Sequence, residues 1–363
     1  MENRMPSSKT SPSPNASPKT SVDKKQIRDS LIRLTAHASR ELLTKKPHWG
    51  DAILCDGLLH AARALKTESP VEHAIKWFAP KLSSGPNTDG WFWFWAAEAL
   101  PALDLHVKTA KREYLEYART IIDAVQHKAT HTSDGVPVPH PPAIEVWVDV
   151  AYFAAPAMAL IGRLEKNPSM IEAGFDQVLL HAQHLRDPVT GLLWHVAYPE
   201  SKTHSPCLWA RGNSWFSIAA SQVMEEAKAA GVEARLSAKL DNLGIELADQ
   251  LNGISSLQDR ETGLWHTVME RPESYQEASA SAGFALALGR SLELNLEKLN
   301  SFRAENAYAR ALAGICAKIN DQGEFTGVSQ QTPPGDFAHY QSIEVGTAPF
   351  GTGVCMMALS EAL

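Results

Sequence analysis

Two stretches of this chain are near copies, "DPVTGLLWH" (187–195) and "DRETGLWHT" (259–267), with the shared pattern D-x-x-T-G-L-(L)-W-H. Each lies between two segments of helical apolar spacing, so the chain repeats helix, Asp-Gly turn, Trp-His, helix. Gly191 and Gly263 are the residues expected to supply the positive φ of such a turn. Repeated helix pairs with aromatic loops at one end build either an open solenoid or a closed α/α toroid. A closed toroid of about six pairs suits 363 residues, and its loops would converge on one central pocket.

Helical spacing recurs from about Ser21 onward, in "KKQIRDSLIRLTAHASRELL", "KREYLEYARTIIDAVQH", "VWVDVAYFAAPAMALIGRL", "MIEAGFDQVLLHAQHL", "WFSIAASQVMEEAKAAG", "RLSAKLDNLGIELADQLNGI", "SASAGFALALGRSLEL", "NAYARALAGICAKI" and "FGTGVCMMALSEAL". "SPVEHAIKWF" adds an expected capping box, with Ser69 as N-cap, Pro70 at the first helical position and Glu72 reaching back. Strand-like alternation is scarce. Residues 1–22, rich in Ser, Pro, Lys and Thr, read as a disordered leader without a secretory h-region. Residues 23–363 read as a single domain.

The composition, 44% hydrophobic and 21% charged, is that of a globular protein with a sizeable core. A net charge of −7 argues against a nucleic-acid surface, and no apolar run is long enough to span a bilayer. Cys55, Cys207, Cys316 and Cys355 are scattered without zinc spacing. They read as thiols, which together with the missing signal peptide gives a cytoplasmic location; an oxidised pair is the alternative.

Asp149 is the one charge in the apolar run "VWVDVAYFAAPAMAL" (146–160). If the helix spans the whole run, Glu145 lies one turn before it and Phe153 one turn after. Apolar neighbours and a like charge would both raise its pKa and let it donate a proton near neutrality. The plain alternative is a structural Asp paired with Arg or capping a backbone. "WARGNSW" (209–215) offers Arg211 for a carboxylate, Asn213 for hydroxyls, and Trp209 or Trp215 for stacking on a sugar; alternatively Asn213 or Ser214 caps the following helix. Ten tryptophans, among them Trp91, Trp93, Trp95, Trp147, Trp194 and Trp265, are either core or sugar platforms. His140, His195 and His266 carry no metal spacing, so neither a catalytic metal nor a cofactor is expected. Asp89, in "NTDGWFWFW", is a second candidate carboxylate or a turn residue before Gly90.

Taken in order, "VWVDVAYF", "DPVTGLLWH", "WARGNSW", "DRETGLWHTV", "SYQEASASAGFALALGR" and "EVGTAPFGTGVCMMALSEAL" resemble the unsaturated rhamnogalacturonyl hydrolases of glycoside hydrolase family 105, related to the unsaturated glucuronyl hydrolases of family 88. The resemblance runs from about Trp49 to Leu363. It implies an all-α (α/α)6 barrel and hydration of the C4=C5 bond of a 4,5-unsaturated uronic acid at the non-reducing end of a lyase-generated oligosaccharide. It places the catalytic Asp on Asp149, a second acid on Asp89 and the loop His on His195. Trp209, Arg211, Asn213 and His140 fall on binding positions, with Trp147 and Trp215 bordering the sugar. The chain departs from the family pattern at Ser214, where Gly is usual, in the short apolar "HPPAIEVWVD", and in "WFWFW". These departures bear on the substrate and leave the proton donor in place.

Three rival functions share this pattern. A conventional inverting glycosidase would set Asp89 and Asp149 about 6.5–9.5 Å apart. A sugar isomerase or epimerase could occupy the same barrel, since fold does not fix function. A glycan-binding protein would keep the aromatic pocket without the chemistry.

Overall fold

The computed structural model describes residues 22–44, 48–89 and 95–363. Most of the leader, and Trp91 and Trp93, lie outside the described residues. Helices alternate along the chain between an outer and an inner layer. The outer helices are α1 (Lys24–Thr44), α3 (Ser69–Ser84), α5 (Arg112–His127), α7 (Pro168–Leu185), α9 (Ser237–Ser256) and α11 (Ser301–Ala317). The inner ones are α2 (Gly50–Leu65), α4 (Ala99–Thr109), α6 (Val150–Leu164), α8 (Ala210–Ala230), α10 (Ala278–Leu294) and α13 (Pro349–Glu361). Each inner helix packs on the next, and α13 packs on α2, which closes the ring. This is the (α/α)6 barrel, and it decides against the open solenoid.

Burial explains the two layers. α6, α8, α10 and α13 are buried on nearly every face, as an inner helix with neighbours all round must be. α5 and α11 bury one stripe and expose the rest. The seam between α2 and α13 is tight: a Cβ at Gly353 would stand 2.2 Å from the carbonyl of Ile53 and one at Gly57 2.5 Å from that of Gly353, so the backbones meet directly. All four cysteines are buried thiols. Among the described residues no helix is long and apolar enough to cross a membrane.

Three local expectations are corrected. α3 begins at Ser69 itself, because the Glu72 amide already donates to the Glu68 carbonyl at 3.1 Å; Ser69 caps nothing and the capping box does not form. α6 begins at Val150, four residues into the run, because Val146 and Trp147 form a strand, β1, instead. α8 begins at Ala210 rather than after "WARGNS", so Arg211, Asn213 and Ser214 lie inside its first turns and Trp209 holds the N-cap position.

The few strands lie at the end of the barrel where the inner helices begin. β1 (Val146–Trp147), β2 (Val196–Tyr198) and β3 (Thr203–His204) form an antiparallel sheet, with Val146 opposite Ala197 and Trp147 opposite Val196. β4 (Val328–Ser329) pairs with β5 (Val345–Gly346), and the short helix α12 (Phe337–Ser342) lies between them.

The Asp-Gly turn recurs more widely than the two near copies. Asp187 and Asp259 each accept backbone amides two and three residues on, and Gly191 and Gly263 have φ of 72° and 73°. Asn320 and Gly323 make a similar turn after α11, and Thr132 and Gly135 one after α5. Asn87 accepts the Asp89 amide in the same way, which puts Asp89 in the turn that follows α3.

Candidate active site

The small sheet brings the chemistry together. β1 leads into Asp149 and β2 leads out of His195, so pairing them sets the two side by side; the Val148 amide donates to the His195 carbonyl at 3.1 Å. His195 Nε2 lies 3.6 Å from Asp149 Oδ2. Both atoms are buried, and among the described residues neither has a hydrogen-bond partner. Asp149 lines a cavity and His195 stands behind it, outside the lining; two buried polar atoms facing each other this way are costly to keep for packing alone.

The cavity has a volume of about 220 Å³. Asp149, Trp209 and Trp49 stand at the N-terminal ends of α6, α8 and α2, and Trp147, Trp215 and Phe153 add aromatic wall. Three helix N-termini therefore point toward one space, a field that favours a negative ligand. The correction to α6 changes how Asp149 is read. Glu145 is not one helical turn behind it; its carboxylate accepts the Trp147 indole N–H at 2.7 Å in extended chain.

His195 is fixed from behind by Tyr340, whose hydroxyl lies 2.7 Å from Nδ1, and from the side by Trp209, with ring centroids 4.1 Å apart. Burial lowers the His195 pKa, and Asp149 offsets this in part. His140 also lines the cavity, edge-on to Trp147 at 4.8 Å, and burial lowers its pKa too.

The other expected residues divide. Trp209, Trp215, Trp147 and Arg211 line the cavity, but the Arg211 guanidinium is already engaged. It donates to the Ser329 carbonyl and hydroxyl at 2.8 and 2.6 Å, the Gln330 carbonyl at 2.8 Å and the Thr332 hydroxyl at 2.9 Å, and pairs with buried Glu277 at 3.4 Å. It also lies between the rings of Trp209 and Phe350. Its first task is to hold the 329–332 segment as a wall. Asn213 is fully buried and absent from the lining; its amide bridges Leu193 N–H, Leu193 C=O and Trp209 C=O at 2.8, 2.8 and 3.0 Å. It ties the first repeat loop to α8. Asp89 is exposed and does not line the cavity. Ser214, where Gly is usual, fits because Gly283 lies opposite it.

Several residues escaped the sequence reading. Tyr340 arrives on α12, whose only local signal is Asp336 capping the His339 amide at 2.8 Å. Glu277 caps α10 through the Ala280 amide and anchors Arg211 from beneath; the charge before "ASASAGFALAL" was visible, its partner was not. Thr332 and Gln331 reach the wall from a loop without periodicity. Asp56, His60 and Asp104 place ligand atoms within 4.8 Å of one another, close enough to share an ion, but none of the three lines the cavity.

Residues 24–363 match the family model of Glycosyl Hydrolase Family 88. The chain belongs to this family. It is thus a glycoside hydrolase, and the match takes in α1, ahead of the segment that carries the motif resemblance. The family 88 chain is 31% identical over 294 residues to the unsaturated rhamnogalacturonyl hydrolase YesR of Bacillus subtilis (strain 168), covering 78% of this chain and 79% of that one. It is 24% identical over 221 residues to an unsaturated 3S-rhamnoglycuronyl hydrolase of Alteromonas sp. (strain LOR), covering 60% and 51% of the two chains. Among solved structures it resembles possible members of family 105 from Klebsiella pneumoniae (TM-score 0.83, 24% identity, 98% of each chain) and Salmonella enterica (TM-score 0.82, 25% identity, 96% of each chain).

Proposed function

We propose that this family 88 chain removes a 4,5-unsaturated uronic acid from the non-reducing end of an oligosaccharide by hydrating its C4=C5 bond, with Asp149 as proton donor. The observation that carries this is Asp149 at the wall of an aromatic cavity, with His195 Nε2 buried behind it, 3.6 Å from Asp149 Oδ2. The relatives named as unsaturated uronyl hydrolases support the substrate class.

The bond to be hydrated is a vinyl ether conjugated to the C6 carboxylate. Protonation at C4 by Asp149 leaves positive charge shared between C5 and the ring oxygen. Water then adds at C5 and gives up a proton to the Asp149 carboxylate. The resulting hemiketal opens to a C5 ketone, and the aglycone leaves from C1. With Tyr340 donating to Nδ1, neutral His195 carries its hydrogen on Nε2, facing Asp149. The two atoms stand 3.6 Å apart, and a hydrogen bond between them would form as Asp149 becomes a carboxylate, so it acts in the transition state more than in the ground state. The helix N-termini and the buried Arg211 supply positive potential for the substrate carboxylate, and Trp209 and Trp147 border the ring. Asp89, exposed in the turn after α3 and not among the described residues that line the cavity, is given no step in this scheme.

Asp149→Asn tests the assignment. The variant should keep the wild-type melting temperature within about 2 °C and lose about 10³-fold or more in kcat, read as disappearance of the ultraviolet absorbance of the conjugated double bond. Near-normal turnover in a folded variant refutes it.

A further inference from the structure

We propose that the groove between α9 and α11 is a second saccharide site, one that holds carboxylate-bearing sugar residues outside the catalytic cavity. The groove, of about 630 Å³, shares no residue with the cavity around Asp149. Arg260, Arg303 and Arg310 line it, together with Phe302, Asn306 and Ser256, and no acidic residue does.

Three observations single it out. First, none of its three arginines has an ion-pair partner among the described residues; Arg310 has only the amide oxygen of Gln258, at 2.9 Å. Elsewhere Arg163, Arg186 and Arg290 each hold a carboxylate. Clustered, uncompensated guanidinium groups repel one another, and burial together with the Arg260 charge lowers the Arg310 pKa. An anion entering the groove would relieve that mutual repulsion. Second, the acid beside Arg260 on its N-terminal side is engaged elsewhere: the Asp259 carboxylate is spent on the amides of Glu261 and Thr262 and on the Thr262 hydroxyl. Third, Phe302 is 79% exposed in the first turn of α11, an apolar ring set among charges. Guanidinium forks grip carboxylates bidentately, the aromatic face takes the C–H side of a pyranose, and Asn and Ser serve its hydroxyls. A phosphate would use the arginines and leave the ring idle. The combination therefore points to a uronate-containing saccharide, which rests on the reading of the cavity as a uronyl site.

The test is calorimetric titration of the full-length chain with a saturated hexameric oligouronate, which has no C4=C5 bond for Asp149 to protonate. A neutral glucan hexamer and inorganic phosphate serve as controls. The oligouronate should bind, with affinity falling as salt rises. Arg260→Ala combined with Arg303→Ala should weaken it at least about tenfold, and Phe302→Ala about fivefold, while both hydrolyse a short unsaturated disaccharide within about twofold of wild type. Unchanged oligouronate affinity in both variants overturns the proposal, as does phosphate binding as tightly as the oligouronate, or a change only in self-association. The disaccharide assay on the wild-type chain tests the cavity separately: intact disaccharide there defeats the uronyl reading, whereas a groove failure leaves hydrolysis untouched.

Discussion

The two near-copied loops fold alike but put their Trp-His pairs to different use. Counting from the turn glycine, Leu192 and Leu264 are buried, Leu193 and Trp265 are buried, Trp194 and His266 are half-exposed, and His195 and Thr267 are buried again. The phase of burial is the same in both copies. The extra leucine of the first loop moves its Trp-His along by one place, and in extended chain one place is the opposite face. His195 therefore corresponds in space to Thr267, not to His266. Trp265 fills the core with its indole on the Ile254 carbonyl at 2.7 Å, whereas Trp194 lies out against His204. His266 is tied to the Ser274 carbonyl and His195 faces Asp149. Similar words in a repeat name the same turn; the residue count after the glycine decides which side chain stands behind Asp149.

The comparison yields its largest effect at His195. His195→Gln should lower kcat about 10²-fold or more with little change in melting temperature at pH 7, measured by the absorbance assay beside thermal denaturation. It should also alter the pH dependence of stability. Because burial holds the folded His195 pKa below the ordinary 6.5, the unfolded chain binds more protons in the window beneath that value, so stability falls as pH drops through it. Part of that decline should vanish in the variant. A wild-type stability curve flat below pH 6.5 argues against a buried neutral imidazole.

Tyr340→Phe should act next, lowering kcat about tenfold while KM stays within about twofold, since the ring remains and only the hydroxyl that holds His195 Nδ1 is gone. A matching loss in KM instead marks a packing role. At the turns, a Cβ at Gly263 would stand 2.2 Å from the Arg310 carbonyl, against 3.2 Å from that of Asp249 at Gly191. Gly263→Ala should then cost about 3 kcal/mol and Gly191→Ala about 1–2 kcal/mol, by denaturant titration. Equal costs mean that the left-handed φ alone decides. The smallest effect belongs to His266→Ala, within about twofold of wild-type kcat; a large loss there breaks the spatial assignment of the two loops.

The fold is legible where a helix shows an apolar stripe or, as in α6, α8, α10 and α13, a long apolar run. The outer α1, α5, α7, α9 and α11 show clear apolar stripes. α2, "GDAILCDGLLHAARAL", is broken up in sequence by Asp51, Asp56 and Gly57, all of them buried in the fold, and α4, "ALPALDLHVKT", is short with Pro101 in its first turn, so neither announces itself as a helix. The start of the apolar run departs from helix for a different reason. Val146 and Trp147 belong to a sheet whose partner lies fifty residues on, and no local pattern announces it. At the site, Asp149 and the aromatic residues stood out because charge in an apolar run and clustered Trp are local signals. Tyr340 and the engagement of Arg211 with Ser329, Gln330 and Thr332 depend on contacts across more than a hundred residues.

Trp49, at the mouth of α2, stacks on Phe350 of α13 at 5.0 Å and lines the cavity. The last join of the ring is thus part of the pocket wall. A nascent chain still lacking α13 on the ribosome has made Asp149 and His195, yet it has no finished chamber to put them in. Activity should switch on during synthesis only once the sixth hairpin has emerged and docked.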